Sequence, residues 1–157
     1  MGKAIICDID GVLVDNSLIL NHIKSNNLVG EEKWKYINSH INGLDTYPNR
    51  KMMELIKMFY LKDFKIILLT ARSEEIREQT IRTIENDFFL LTDLIIEFDI
   101  YMRKLEDYDL KPHEIKQKYL EKLKQEYDIY CAFDDEEENC NMFKNNGILT
   151  FKVIGAK

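Results

Sequence analysis

The stretch that decides the fold is residues 4–15, AIICDIDGVLVD, in which an apolar run leads directly into two aspartates. The unbroken apolar run at its start predicts a strand buried on both faces, as in a parallel sheet. Asp8 and Asp10 are two positions apart on extended backbone, so their side chains point to the same side. Two carboxylates do not share a buried site unless a cation, a phosphate or a proton offsets their repulsion. The stretch therefore predicts a polar site at the end of a strand.

Beyond this stretch, apolar strand-like runs alternate with amphipathic segments along the whole chain. Alternating strands and helices predict an α/β fold with a parallel sheet covered on both faces. Ligands of such sheets bind outside the carboxyl ends of the strands. Strands are predicted at 3–8, 64–70, 94–96, 129–133 and 148–153, and helices at 16–41 with a break near 26–30, at 48–62, after Ser73, at 112–126 and at 136–145.

Two further predicted strands end in polar residues. Residues 69–72, LTAR, follow the second apolar run, and residues 133–135, FDD, follow a later one. Because the carboxyl ends of parallel strands meet at one edge of a sheet, we expect these groups to lie near Asp8. Carboxylate oxygens are hard ligands that suit Mg²⁺. The sequence therefore predicts one site that handles a phosphate and a divalent metal.

Composition limits the function classes. A chain of 157 residues fits a single domain. Its net charge of −6 excludes a global basic field for gripping nucleic acid, so any polyanion would need a local patch. The three cysteines have no Cys-x-x-Cys spacing, which favours a reduced, cytoplasmic protein. No apolar stretch is long enough to span a bilayer, so we expect no membrane partner.

At this point the chain resembles a known family. Asp8–Asp15, Leu69–Arg72, a downstream lysine and Phe133–Asp135 resemble, in that order, the four motifs of the haloacid dehalogenase-like phosphohydrolases. The resemblance implies a three-layer, Rossmann-like parallel sheet in a single domain over residues 1–157. It also implies a short helical cap insert at about 16–45, which would control access to Asp8.

A narrower resemblance rests on fewer residues. Tyr101–Lys104 and Lys111–Lys116, together with the Asp134-Asp135 pair, resemble the 3′-phosphatase domain of phage-type polynucleotide kinases. The chain has no Gly-x-x-x-x-Gly-Lys-Ser/Thr loop, so we expect no kinase activity from this chain alone.

The four motifs suggest roles for the aspartates. Asp8 is the candidate nucleophile, because a carboxylate that attacks phosphorus divides one difficult hydrolysis into two steps. Asp10 would protonate the leaving oxygen and later deprotonate water. A turn aspartate at a strand end would explain Asp8 alone but not Asp8 with Asp10 and Asp134. The resemblance implies that Mg²⁺ is held by Asp8, Asp10 (through its main-chain carbonyl), Asp134 and Asp135.

Other residues of the motifs are candidates for holding the phosphate. Thr70 offers a hydroxyl, and Ala71 a main-chain amide, to a phosphoryl oxygen. Arg72 is a candidate bidentate clamp on the phosphate, although a surface ion pair with Glu74 or Glu75 would also account for it. Gly11 permits the tight turn that brings these groups round, and a plain turn glycine is its alternative.

A lysine must offset the negative charge of nucleophile and phosphate. Lys111 is the preferred candidate, since it begins the helix after the 107–109 loop, and Lys116 is the second choice. Arg103 would hold a second phosphate or the nucleic-acid backbone, as the narrower resemblance implies. Residues 33–36, KWKY, offer an aromatic surface with nearby charge, but the stronger interpretation is that Trp34 forms a core face with Ile37 and Ile41 and that the lysines are its solvated side.

The leading hypothesis is a Mg²⁺-dependent phosphomonoesterase that acts through an aspartyl-phosphate and removes 3′-phosphates from nucleic-acid ends. A 5′-nucleotidase acting on free (deoxy)nucleotides is the first alternative. A non-enzymatic phosphate-binding or receiver module is the second, although such a module has no need of a carboxylate in the position of Asp10.

Overall fold

The computed structural model describes residues 1–155 and confirms the three-layer α/β architecture. The strands are β1 (Gly2–Cys7), β2 (Val14–Asp15), β3 (Tyr47–Pro48), β4 (Lys65–Ser73), β5 (Phe98–Arg103), β6 (Tyr127–Asp134) and β7 (Thr150–Lys152). The helices are α1 (Ser17–Ser25), α2 (Gly30–His40), α3 (Arg50–Tyr60), α4 (Arg77–Thr92), α5 (Pro112–Glu126) and α6 (Glu137–Asn145). Short 3₁₀ turns lie at Glu74–Ile76 and Leu105–Asp107.

Five parallel strands form the main sheet in the order β5-β4-β1-β6-β7. β1 lies in the centre, where Cys7 is in register with Leu68 of β4 and Phe133 of β6. The polar groups at the carboxyl ends of these three strands are therefore brought to one edge of the sheet, as the sequence predicts.

Alternate residues of the strands feed two separate apolar clusters, one on each face. Ile5 and Ile66 face the cluster that α3 and α4 complete, for example with Ile56. Ile6 and Ile67 face the opposite cluster, which α5 and α6 complete with residues including Leu120, Leu123 and Phe143. Burial on both faces explains why these strands read as unbroken apolar runs.

Between β1 and α3, the 16–45 segment forms two helices with a break, as predicted. The break contains Asn27 and Gly30, both with positive φ. The two ends of the segment are held together by β2 and β3, which pair antiparallel with Val14 beside Pro48. This small pairing was not predicted, because two-residue strands leave no periodic pattern in the sequence.

The predicted third strand is wrong in position. The structure places β5 at Phe98–Arg103, whereas residues 94–96 lie outside the sheet. Asp93 ends α4 in a left-handed conformation, and Ile96 then buries its side chain without strand pairing. Within β5, Ile100 and Met102 alternate into the core. The composition of a short apolar run does not by itself show whether the run forms a strand.

None of the helices within residues 1–155 is long and apolar enough to cross a membrane.

The three cysteines are free thiols buried in the protein. Burial raises the pKa of Cys7 well above its usual value, and it raises the pKa of Cys131 and of Cys140 to about 11. Since the thiolate is the reactive form, the native protein should resist iodoacetamide at neutral pH, whereas denatured chain should be alkylated at all three positions. Mass spectrometry at equal exposure times measures the difference. Equal labelling of native and denatured protein would contradict the burial of these thiols.

Candidate active site

Asp8 follows the last residue of β1, at the centre of the sheet edge. Its main-chain amide donates to the carbonyl of Phe133 at 3.0 Å, which ties it to β6. The residue is 7% exposed, and its Oδ1 accepts from the amide of Ile9 at 2.8 Å. The carboxylate is thereby fixed in one orientation at the end of the strand.

A buried lysine joins the first and fourth motifs. Lys116 of α5 is 1% exposed, and its Nζ lies 3.0 Å from Asp8 Oδ2 and 2.5 Å from Asp134 Oδ2. Burial works against the charged ammonium, but the two carboxylates outweigh it and raise the pKa of Lys116 above its usual value. The ammonium therefore stays charged between the two aspartates.

Lys111 was the preferred candidate for the lysine that offsets the charge of nucleophile and phosphate, and the structure shows that this prediction is wrong. Lys111 is exposed and caps the N-terminus of α5, where its main-chain amide donates to Glu114. A signal for Lys116 was present in the sequence, because it is four and seven positions before Leu120 and Leu123. It therefore shares their buried stripe on the helix.

Three carboxylates converge beside this ammonium. Asp8, Asp134 and Asp135 each present one oxygen, and these oxygens all lie within 4.8 Å of one another. Asp134 is held by hydrogen bonds from the Asn139 side chain at 3.0 Å and the Glu136 amide at 3.1 Å to its Oδ1. The predicted meeting of the first and last motifs is therefore present in the fold.

The charge of this cluster favours a cation. Three carboxylates face one ammonium, and burial, reinforced by the charge of Asp134, raises the pKa of Asp8 against the opposing effect of Lys116. A hard divalent ion with oxygen ligands would offset the excess negative charge. The donor set thus fits Mg²⁺, with Asp8, Asp134 and Asp135 as the residues that would hold it.

Gly11 leaves room for one of these ligands. Its φ is +78°, and a Cβ at this position would lie 2.0 Å from Oδ2 of Asp135. Any side chain would therefore displace the Asp135 carboxylate as well as strain the turn. The sequence predicts the turn but not this close approach.

Asp10 lines the same cavity as Asp8 and is paired with Arg72. The guanidinium donates from Nε to Asp10 Oδ2 and from Nη2 to Oδ1, both at 2.8 Å. Its Nη1 donates to Asn42 Oδ1 at 2.6 Å. Asp10 is not one of the three carboxylates that converge, so its part in metal binding stays a prediction that concerns its main-chain carbonyl.

Both predicted roles of Arg72 need correction. Arg72 is 5% exposed and forms no surface pair with Glu74, which instead pairs with Arg77. Because two of its nitrogens already hold the Asp10 carboxylate, Arg72 is not arranged as a bidentate clamp on phosphate. It positions Asp10 instead.

Thr70 and Ala71 lie where the motif places them, on the wall of the same cavity as Asp8. The Thr70 hydroxyl oxygen accepts from the amide of Arg72 at 3.1 Å, so its own hydrogen can still be donated. The pairing of β4 with β5 shifts register just here, between Leu69 and Ser73. Such an irregularity bends a strand locally.

The expectation for Arg103 is also altered by the structure. Arg103 is 3% exposed, and its guanidinium donates to carbonyls of Ala71 at 3.3 Å, Asp107 at 3.0 Å and Leu110 at 2.7 Å. A guanidinium used in this way organises the loop between β5 and α5. It lines the cavity but is not arranged to hold a second phosphate.

One cavity of about 290 Å³ is lined by most of these groups, including Asp8, Asp10, Thr70, Ala71, Arg72, Arg103, Lys116 and Asp135. A larger open groove of about 830 Å³ lies between the end of α2 and α4, and its lining includes Asn38, Gln79 and Arg82. That groove contains none of the clustered carboxylates. The smaller cavity is therefore the candidate active site, on chemical grounds rather than size.

The parallel sheet, the carboxylate at the end of its central strand and the lysine and aspartates around it define a haloacid dehalogenase-like phosphohydrolase. The family model of the polynucleotide kinase PNKP phosphatase domain matches residues 2–156. The chain belongs to this family and is a phosphatase, which argues against the receiver-module alternative.

Solved structures agree with this assignment. A chain of the Pnkp1/Rnl/Hen1 RNA repair complex superposes with a TM-score of 0.71 at 25% identity, covering 98% of this chain and 42% of that one. The class C acid phosphatase from Bacillus anthracis gives a TM-score of 0.65 at 20% identity, covering 88% of this chain and 53% of that one. A haloacid dehalogenase family enzyme from Bacteroides thetaiotaomicron, solved with magnesium and inorganic phosphate, gives 0.56 at 14% identity, with coverage of 97% and 94%.

The chain thus spans less than half of the RNA repair protein that it resembles. No curated protein sequence matches it.

The buried lysine generates a direct test. Lys116→Gln should lower kcat for a phosphate ester by about 100-fold or more, because it removes the charge that faces the nucleophile. Lys111→Ala is the matched control on the same helix and should retain activity, since only an exposed side chain is lost. Circular dichroism checks that both variants fold. A Lys111 variant as inactive as the Lys116 variant would contradict the geometry.

The turn glycine generates a second test. Gly11→Ala should weaken Mg²⁺ binding, measured by titration calorimetry, because the added Cβ occupies the place of the Asp135 carboxylate. Gly2→Ala is the control, since a Cβ there meets nothing within 4 Å. Unchanged Mg²⁺ affinity in the Gly11 variant would remove Asp135 from the metal site.

Proposed function

We propose that this phosphatase removes 3′-phosphates from nucleic-acid ends, with Mg²⁺ as cofactor and an aspartyl-phosphate on Asp8 as intermediate. The observation that carries the chemistry is the ammonium of Lys116 between Asp8 and Asp134 at the end of the central strand. This arrangement fixes a nucleophilic carboxylate where phosphate charge can be neutralised.

In the first step, an oxygen of Asp8 forms a bond to phosphorus while the bond from phosphorus to the 3′-oxygen breaks. The leaving 3′-oxygen takes a proton from the carboxyl group of Asp10. One oxygen of Asp10 can remain bonded to Arg72 during this transfer, because the two contacts use different oxygens. Arg72 thus holds the proton donor in place.

In the second step, water attacks the phosphorus of the aspartyl-phosphate. Asp10 takes a proton from this water, the bond from phosphorus to Asp8 breaks, and inorganic phosphate leaves. The same carboxyl group serves both steps, so the catalyst returns to its starting protonation state.

The phosphoryl oxygens meet donors on the cavity wall. The Thr70 hydroxyl and the main-chain amide of Ala71 are the candidate donors, and Lys116 supplies positive charge beside Asp8. Asp8, Asp134 and Asp135 would hold Mg²⁺, which would supply further positive charge that favours the attack of one anion on another.

The family match and the RNA repair neighbour support a nucleic-acid end as substrate. The cavity is compatible with the end of a nucleic-acid strand, because the 16–45 segment is short and leaves the cavity partly open. We propose that this segment acts as the cap, since α1 and α2 both line the cavity.

A substrate comparison tests the proposal. The purified chain should release phosphate from a 3′-phosphorylated oligonucleotide with Mg²⁺, and much more slowly from a nucleoside 5′-monophosphate. Asp8→Asn should abolish release, because an amide is too weak a nucleophile to form the intermediate. A phosphate-release assay measures both.

Chelation by EDTA followed by added Mg²⁺ is the control for the metal. Turnover of the 5′-monophosphate in preference to the oligonucleotide would replace the proposed activity with a nucleotidase. Activity that survives in the Asp8 variant would exclude the covalent route.

A further inference from the structure

Part of the wall of the cavity that contains Asp8 consists of side chains that have no role in the proposed binding of the phosphate. This wall comes from the 16–45 segment and carries Leu20 of α1, Lys33, Trp34 and Ile37 of α2, and Ile41. The same cavity is lined by the carboxylates of Asp8, Asp10 and Asp135 and by Thr70. The cavity therefore combines charged and polar groups with apolar side chains from the 16–45 segment, which suits a leaving group with an apolar, planar part.

Trp34 is held in place before any ligand arrives. Its indole lies 5.6 Å from the guanidinium carbon of Arg103, and it meets the ring of Tyr108 edge-on at 6.1 Å. Arg103 is itself fixed by the main-chain carbonyls of the loop between β5 and α5. A cation–π contact with a fixed partner orients the ring, so little conformational freedom remains to be lost on binding.

Lys33 and Lys35 differ in their surroundings. Lys35 is exposed and pairs with Glu31 at 3.0 Å. Lys33 is half-buried, lines the cavity and has its ammonium 5.7 Å from the indole of Trp34. In a chain with net charge −6, Lys33 is a local positive charge at the wall of an acidic cavity, where an anionic backbone would enter.

A buried acceptor lies in the same cavity. Asn16 is 8% exposed and lines the cavity, and its Oδ1 has no hydrogen-bond partner in the described part of the chain. Buried acceptors are normally satisfied, so an unsatisfied one in a residue that lines the cavity is a candidate partner for a ligand that brings a donor. A nucleoside has such donors on its sugar and on its base.

We propose that this wall is the subsite for the terminal nucleoside of the strand. Trp34 stacks on the base, Asn16 accepts a hydrogen bond from the nucleoside, and Lys33 contacts the next phosphodiester. The cavity volume of about 290 Å³ is at the small end of ligand pockets, so the subsite takes one terminal nucleoside rather than a longer segment. This inference rests on the proposed 3′-phosphatase function.

The base-stacking role is tested with two oligonucleotides of equal charge. One ends in a normal 3′-phosphorylated nucleotide, and the other ends in a stable abasic analogue with the same 3′-phosphate. Trp34→Ala should raise KM for the normal end by about tenfold or more, since stacking of a base on an aromatic ring has that magnitude. The same variant should leave KM for the abasic end unchanged, and Trp34→Phe should behave nearly like the wild type.

Fluorescence gives an independent reading, because Trp34 is the single tryptophan of the chain. In the Asp8→Asn protein, the normal end should quench the indole emission on titration and the abasic end should not. Equal quenching by both ends, or an equal rise in KM for both, would overturn the stacking role and reduce Trp34 to a structural contact of Arg103.

The other two contacts have their own variants. Lys33→Ala should weaken binding of a strand and reduce its salt dependence, whereas the matched Lys35→Ala should change neither. Asn16→Ala should lower kcat/KM for the normal end by about tenfold. An unchanged result for either residue would remove it from the subsite.

These outcomes are distinct from a failure of the proposed function. If the wild-type chain hydrolyses no 3′-phosphorylated oligonucleotide, both proposals fall. If it hydrolyses normal and abasic ends alike and the Trp34 variants affect them alike, only the nucleoside subsite falls.

Discussion

The site depends on one buried ammonium. Lys116 reaches from α5 to the edge of the sheet and lies between Asp8 and Asp134. Without its positive charge, these two buried carboxylates would repel each other strongly, because little water surrounds them. Removing one member of such a group leaves an uncompensated buried charge, which is far more costly than losing a surface pair. The packing of α5 on the sheet, through residues such as Leu120 and Leu123, therefore determines the geometry of the nucleophile.

A second charged contact, made by Arg72, connects the proposed proton donor to the segment that would control access of the substrate. Arg72 holds the carboxylate of Asp10 and also donates to Asn42, which follows α2 at the end of the 16–45 segment. The proposed proton donor and the proposed cap are thus attached to the same guanidinium. This arrangement gives a physical reason why the residue after the Thr70-Ala71 pair is an arginine: its planar fork can make both contacts at once.

The fold was predictable because hydrophobic burial on two faces leaves a direct imprint on the sequence. Unbroken apolar runs identified β1, β4 and β6, and amphipathic periodicity identified the helices. The errors lie where the local sequence pattern does not indicate which secondary structure forms. Residues 94–96 are apolar without being a strand, and the two-residue strands β2 and β3 are too short to show any period.

The sequence by itself determined that carboxylates, a threonine and an arginine follow the strands of a parallel sheet, and hence that they meet at one edge. Only the tertiary structure decided which charges pair. It placed Lys116 rather than Lys111 beside Asp8, turned Arg72 towards Asp10, and used Arg103 to hold a loop. The physical reason is that chain order fixes the ends of strands, whereas the partner of a charged side chain depends on which helix face is buried and on distances across the fold.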